Sequence, residues 1–151
     1  MNNIKDQENL NQKKILLRLD LNVPIKNDFI TDETRIDKII PVINFLIKKK
    51  SKIIIISHVG RPKGKVNKVL SLKPICENLQ KKIKKKIKLI DKNIFHLKKG
   101  DLFNNPEDQI VSLENIRFYK EEEKNDKLLA KHLASLADYY VNDAFSCSHR
   151  A

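Results

Sequence analysis

Short apolar runs alternate along the chain with stretches of helical periodicity. The first run, Lys14 to Leu21, reads as a strand in which Leu17, Leu19 and Leu21 alternate with Arg18, Asp20 and Asn22. Ile36, Ile39, Ile40, Ile43 and Ile47 recur at helical spacing and predict a helix from about Asp32 to Ile47. Pro41 falls inside it and should kink it or remove one hydrogen bond. The unbroken β-branched run Ile53 to Ile56 suits a strand covered on both faces. Ser71 can cap a second helix reaching about Lys85, and Ile87 to Ile90 reads as a short strand. Residues 91–108 show no period and are expected to be irregular. Ile110 to Leu113 is another strand. Asp126 can cap a helix through Ala137 with Leu129, Leu133 and Leu136 facing inward, and Tyr139 to Val141 is a last strand. The alternation predicts a three-layer, Rossmann-like α/β domain with a mainly parallel sheet. The polar stretch 1–13 reads as an N-terminal extension, and 14–151 as the domain.

Composition narrows the function classes. No apolar run approaches the roughly 20 residues that cross a bilayer, and the polar N-terminus offers no signal core. Cys76 and Cys147, far apart, suggest neither a disulfide framework nor a metal site. His96 and His132 lack metal-spaced partners. A reduced, cytoplasmic setting is expected. The net charge of +12 comes from 31 Lys plus Arg against 19 Asp plus Glu, and only five of the basic residues are Arg. The lysine run 81–88 carries no interleaved aromatics of the kind that stack on bases, so it reads as a solvated face and not a nucleic-acid site.

The scarce arginines carry more information. Ligands of open α/β sheets bind beyond the carboxyl ends of the strands. Polar clusters follow four of the predicted strands: Arg18, Asp20 and Asn22; the segment 57–64 with His58 and Arg61; Glu114, Asn115 and Arg117; and Asn142, Asp143, His149 and Arg150. Four of the five arginines (Arg35, Arg61, Arg117 and Arg150) fall at or just after a predicted strand end or helix start. Guanidinium forks match carboxylate and phosphate oxygens in a way lysine cannot copy, which points to a small, multiply anionic ligand.

The segments Arg18-Leu-Asp-Leu-Asn-Val-Pro24, Thr31-Asp-Glu-Thr-Arg-Ile36, Ser57-His-Val-Gly-Arg-Pro-Lys-Gly64, Leu113-Glu-Asn-Ile-Arg-Phe-Tyr-Lys-Glu-Glu-Glu123 and Val141-Asn-Asp-Ala-Phe-Ser-Cys-Ser-His-Arg-Ala151 together resemble the N-terminal half of phosphoglycerate kinase. That resemblance implies a glycolytic phosphotransferase acting between 1,3-bisphosphoglycerate and ADP, monomeric when full-length. It implies that Asp20 and Asn22 meet the hydroxyl and carboxyl end of 3-phosphoglycerate. His58, Arg61, Arg117 and Arg150 would grip its 3-phosphate, and Arg35, the one catalytic candidate, would face the transferring phosphoryl group. The family's Mg-ATP or Mg-ADP belongs to a C-terminal domain absent from this sequence. No cofactor or metal ligand is therefore assigned to residues present here, and the sequence reads as an incomplete substrate domain, inactive alone. A stand-alone small-phosphate-binding module without catalysis is the alternative.

Overall fold

A computed structural model describes residues 9–19, 21, 23–27, 29–57, 71–115, 127–142 and, for the backbone, 148–150. Its strands are β1 (Lys14–Arg18), β2 (Ile25–Lys26), β3 (Phe29–Ile30), β4 (Lys52–Ile56), β5 (Lys88–Ile90), β6 (Ile110–Leu113), β7 (Tyr139–Asn142) and β8 (Ser148–Arg150). The helices are α1 (Thr34–Lys48), α2 (Lys73–Ile83) and α3 (Lys127–Ser135). Six strands form one sheet in the order β5-β6-β4-β1-β7-β8, and β2 and β3 form a small separate hairpin. The first five of the six run parallel, and β8 pairs antiparallel to β7. The chain therefore has the expected α/β architecture.

Period-2 geometry sorts the strand residues into two cores. Ile15, Leu17, Ile53 and Ile55 pack with α1 and α2 on one face. Leu16, Ile54, Ile56, Val111 and Leu113 pack with Leu129 and Leu133 of α3 on the other. Every residue of β4 is buried, as its continuous apolar run predicts.

Local details depart from the sequence reading in ways that packing explains. The buried stripe of α1 is Ile36, Ile39, Val42, Ile43 and Leu46, whereas Ile40 and Ile47 lie at its partly buried margin. The contact face of α1 is therefore centred nearer Val42 and Leu46, both of which lie in the first core. Pro41 sits within α1 and the helix continues through it, leaving only the Asp37 carbonyl without an intrahelical donor. The segment 91–108 is not featureless. It contains 3₁₀ turns at Ile94–His96 and Lys99–Asp101, and buries Ile94, Leu97 and Leu102 in the second core. Three scattered anchors leave no period to read. Lys52, 8% exposed, holds this segment to β4 by donating from Nζ to the carbonyls of Pro106 and Asp108 beneath the Phe103 ring. Leu10, inside the stretch read as an extension, is 2% exposed and belongs to the first core. Asp126, the proposed cap of α3, and Cys147 lie outside the described residues.

A polar network pins the first turn of α1 to α2. The Glu33 carboxylate accepts from Asn78 Nδ2 at 2.5 Å and pairs with Lys82 Nζ at 3.3 Å, and Lys82 also reaches Asp37 at 2.5 Å. The Asn78 and Lys82 bonds hold Glu33 below its ordinary 4.5. Bonds from the Thr34 hydroxyl and backbone N–H, with the Arg35 charge adding, hold Asp32 below 3.8. A carboxylate depressed on folding contributes stability above its unfolded pKa and loses it as pH falls through the folded one. The melting temperature is therefore expected to begin falling as pH drops past about 4.5 and to continue below 3.8. Glu33→Gln should flatten the upper part of that decline in a pH series of thermal melts. These groups are solvent-exposed, so the amplitude is modest.

Candidate phosphate-ligand site at the carboxyl edge of the sheet

Parallel register brings the carboxyl ends of four neighbouring strands, β6, β4, β1 and β7, to one edge. Arg18, the last residue of β1, pairs with Ile56 on one side and Asn142 on the other, so three strand ends stand level. Helices that connect parallel strands run back across the sheet, which places the start of α1 and of α2 at this same edge.

Beyond β1 the chain keeps its alternation. Leu17, Leu19, Leu21 and Val23 all enter the first core, at 4% exposure or less, and this is the face expected of the leucines. The backbone is fixed as well. Leu19 N–H donates to the Ile56 carbonyl at 3.0 Å, continuing the ladder. The buried Ser57 side chain adds to it: Ser57 Oγ donates to the Leu19 carbonyl at 2.7 Å and accepts from Leu21 N–H at 3.1 Å. Val23 N–H then donates to the Leu21 carbonyl at 2.8 Å. Apolar anchors and hydrogen bonds thus hold the residues on both sides of positions 20 and 22.

Asp20, Asn22, His58, Arg61 and Arg117 themselves lie outside the described residues. Their nearest described neighbours are Leu19, Leu21 and Val23 for the first pair, Ser57 at the end of β4 for His58 and Arg61, and Asn115 after β6 for Arg117. Arg35 is on an exposed part of the first turn of α1, beside Asp32. Arg150 is placed differently. It pairs with Tyr139 on the antiparallel β8, three residues back from Asn142 and so roughly 10 Å from the edge at about 3.3 Å per residue. The strand ends that lead into the other segments stand together in the register, and the backbone of Arg150 lies back from them.

Glu114, which the sequence groups with the polar cluster after β6, turns inward to α2. Its Oε2 accepts from the Ser71 hydroxyl at 2.6 Å, and its Oε1 accepts from Leu72 N–H at 2.7 Å and Asn115 N–H at 2.9 Å. A carboxylate at a helix N-terminus satisfies free N–H groups and complements the helix dipole. Ser71 does bond the helix start, accepting from Lys73 N–H at 3.1 Å, but it works jointly with Glu114. Because Ser71 directly follows the segment 58–70 and Glu114 lies just before the segment 116–126, this contact joins residues that flank two of the motif-bearing segments. Glu114→Ala is expected to cost about 1–2 kcal/mol in denaturant unfolding, on the scale of a lost helix cap. Glu114→Gln, which keeps one acceptor, should recover part of that loss.

Cys76 is a core residue of α2. It is 5% exposed, and burial pushes its thiol up to about 11, which excludes a thiolate nucleophile there at neutral pH. Ser57 and Glu114 stand in the polar clusters read from the sequence, but the bonds they make could not be read there. Their partners lie 36 to 43 residues away, and no local pattern signals such a bond. Among the described residues, no helix is long and apolar enough to cross a membrane.

The family model for phosphoglycerate kinase matches residues 4–151. The phosphoglycerate kinase of Wolbachia pipientis wMel is 51% identical over 151 residues, a span covering 99% of this chain and 38% of that protein. The phosphoglycerate kinase of Dictyoglomus turgidum is 47% identical over 144 residues, or 95% of this chain and 36% of its own length. Among solved structures, phosphoglycerate kinase from Coxiella burnetii superposes with a TM-score of 0.81 at 38% identity, over 98% of this chain and 36% of that one. The Pyrococcus horikoshii enzyme gives 0.80 at 27% identity, over 99% and 38%. The chain spans less than two-fifths of the length of these relatives.

Proposed function

The chain belongs to the phosphoglycerate kinase family, and on that premise we propose that it forms the part of the enzyme that binds phosphoglycerate. The reaction passes a phosphoryl group between 1,3-bisphosphoglycerate and ADP, giving 3-phosphoglycerate and ATP. One observation carries the reading: the sheet order sets the ends of β4, β1 and β6, each leading into a motif with anion-binding side chains, side by side at one edge. In this reading Asp20 and Asn22 take the hydroxyl and carboxyl end of the substrate. His58, Arg61 and Arg117 take the 3-phosphate together with Arg150, whose role requires its side chain to reach that edge from β8. Arg35, at the start of α1, meets the transferring phosphoryl group.

The second substrate, a Mg-nucleotide, falls to residues outside this sequence. The three glycines, at positions 60, 64 and 100, are not spaced as a Gly-rich phosphate loop. Phosphoryl transfer depends on positioning both substrates, so the chain by itself binds and does not turn over. The setting is cytoplasmic, and the intact enzyme a monomer.

The test separates forked geometry from diffuse charge. Arg61→Lys keeps the charge and loses the fork, and is expected to weaken 3-phosphoglycerate binding by about 1–3 kcal/mol. Lys81→Gln, on the exposed last turn of α2, should change it by only a few tenths of a kcal/mol, as a distant screened charge does. Both variants are titrated with 3-phosphoglycerate and with a short DNA duplex at two salt concentrations. Substrate binding indifferent to Arg61→Lys, with duplex binding that falls on Lys81→Gln, would replace this reading with a polyanion surface.

A further inference from the structure

We propose that Ser57 is a positioning residue for phosphoglycerate: its hydroxyl sets the backbone on both sides of position 20, so that Asp20 is presented to the substrate. The inference rests on the functional reading above and extends it to a residue that need not touch the ligand.

Leu19 N–H extends the backbone ladder between the extended β1 and β4 by donating to the Ile56 carbonyl. Beyond that bond, the Leu19 carbonyl and the Leu21 N–H share a side-chain partner. One belongs to the peptide that enters residue 20 and the other to the peptide that leaves it. A single side chain serves both. Ser57 Oγ gives its proton to the Leu19 carbonyl at 2.7 Å and accepts from Leu21 N–H at 3.1 Å. Ser57 is 1% exposed, so water does not compete for either bond. A hydroxyl is the smallest group that donates and accepts at once, and Ala in its place would remove both of these buried bonds.

The bond partners also make the clamp specific to position 20. Leu19 and Leu21 are 2% and 1% exposed, which fixes their side chains in the first core. The side chains of both flanking residues are anchored, and a backbone group of each is tied to one oxygen. Ser57 directly precedes His58, so the same residue couples two motif-bearing segments. A binding group held in orientation before the ligand arrives avoids the ordering cost on binding.

A double-mutant cycle tests this by calorimetric titration of 3-phosphoglycerate into the full chain. Ser57→Ala is expected to weaken binding about tenfold, the worth of roughly one well-formed buried hydrogen bond. Asp20→Ala weakens binding by itself. In the Asp20→Ala background, Ser57→Ala should cost less than about twofold, because the group it positions is gone. The stability loss from Ser57→Ala, read from urea unfolding, should be the same in both backgrounds. Ser57→Cys keeps the buried volume with a weaker hydrogen-bonding group, and runs through the same cycle should Ser57→Ala fail to fold. Equal binding losses in both backgrounds would overturn the positioning role and leave the functional reading standing. No binding by the unmutated chain, or unchanged affinity in Asp20→Ala, overturns the phosphoglycerate reading and this proposal with it.

Discussion

Arg35→Ala, in an enzyme that carries this chain, is expected to lower kcat by about 10²–10³-fold, the usual effect of removing one preorganised group that stabilises transition-state charge. KM for 3-phosphoglycerate should move by only a few-fold. The asymmetry follows from the proposed partner of Arg35, a phosphoryl group whose charge is redistributed during transfer. An interaction stronger in the transition state than in the ground state shows in kcat. The surroundings of Arg35 favour a fixed position. Its helix begins at Thr34, whose N–H and hydroxyl both bond Asp32 Oδ1, at 2.9 and 2.6 Å. Glu33 and Asp37 then tie that first turn to Asn78 and Lys82 of α2. Arg35→Lys should recover only part of the rate, since an ammonium cannot reproduce the planar fork. Steady-state kinetics over both substrates check the split. A raised KM with unchanged kcat would make Arg35 a ground-state binding residue and remove it from the transfer step.

The largest effects on stability are expected at the centre of the sheet. Ile54→Ala and Ile55→Ala should each cost about 2–5 kcal/mol in denaturant unfolding, the range for truncating a fully buried aliphatic side chain. Ile54 is 0% and Ile55 1% exposed, and adjacent residues on β4 point into opposite cores. Neither cavity can collapse easily, because the strand is paired on both edges, to β1 and β6. A domain of ordinary stability has about 5–15 kcal/mol in total, so either variant could unfold much of the population. Ile40→Ala, at the margin of the α1 stripe, should cost clearly less. Equal losses at positions 40, 54 and 55 would contradict the two-core arrangement.

Much of this architecture was legible in the chain because it rests on local periodicity. The β-branched run of β4 and the alternation through Leu17, Leu19 and Leu21 identify strands, and their buried faces follow from geometry. The recognition motifs were legible for a similar reason: each is a short contiguous segment. What local pattern could not supply was anything set by residues distant in sequence. The contact stripe of α1 runs through Val42 and Leu46 because the first core encloses them, and the aperiodic segment 91–108 takes its turns from three isolated core anchors. Leu10 looked like part of a polar tail until the first core enclosed it.

The same division runs through the site. Sequence by itself determined which residue types gather after which strands, and that scarce arginines accompany them. Tertiary structure decided that the ends of β4, β1 and β7 stand level, and that the backbone of Arg150 runs back from that edge along β8. It also decided that Glu114 caps a helix and that Ser57 clamps the chain around position 20. The reason is physical: a hydroxyl or carboxylate bonds whatever unpaired backbone the fold brings near it, and that neighbour is a property of the assembled sheet, not of the adjoining residues.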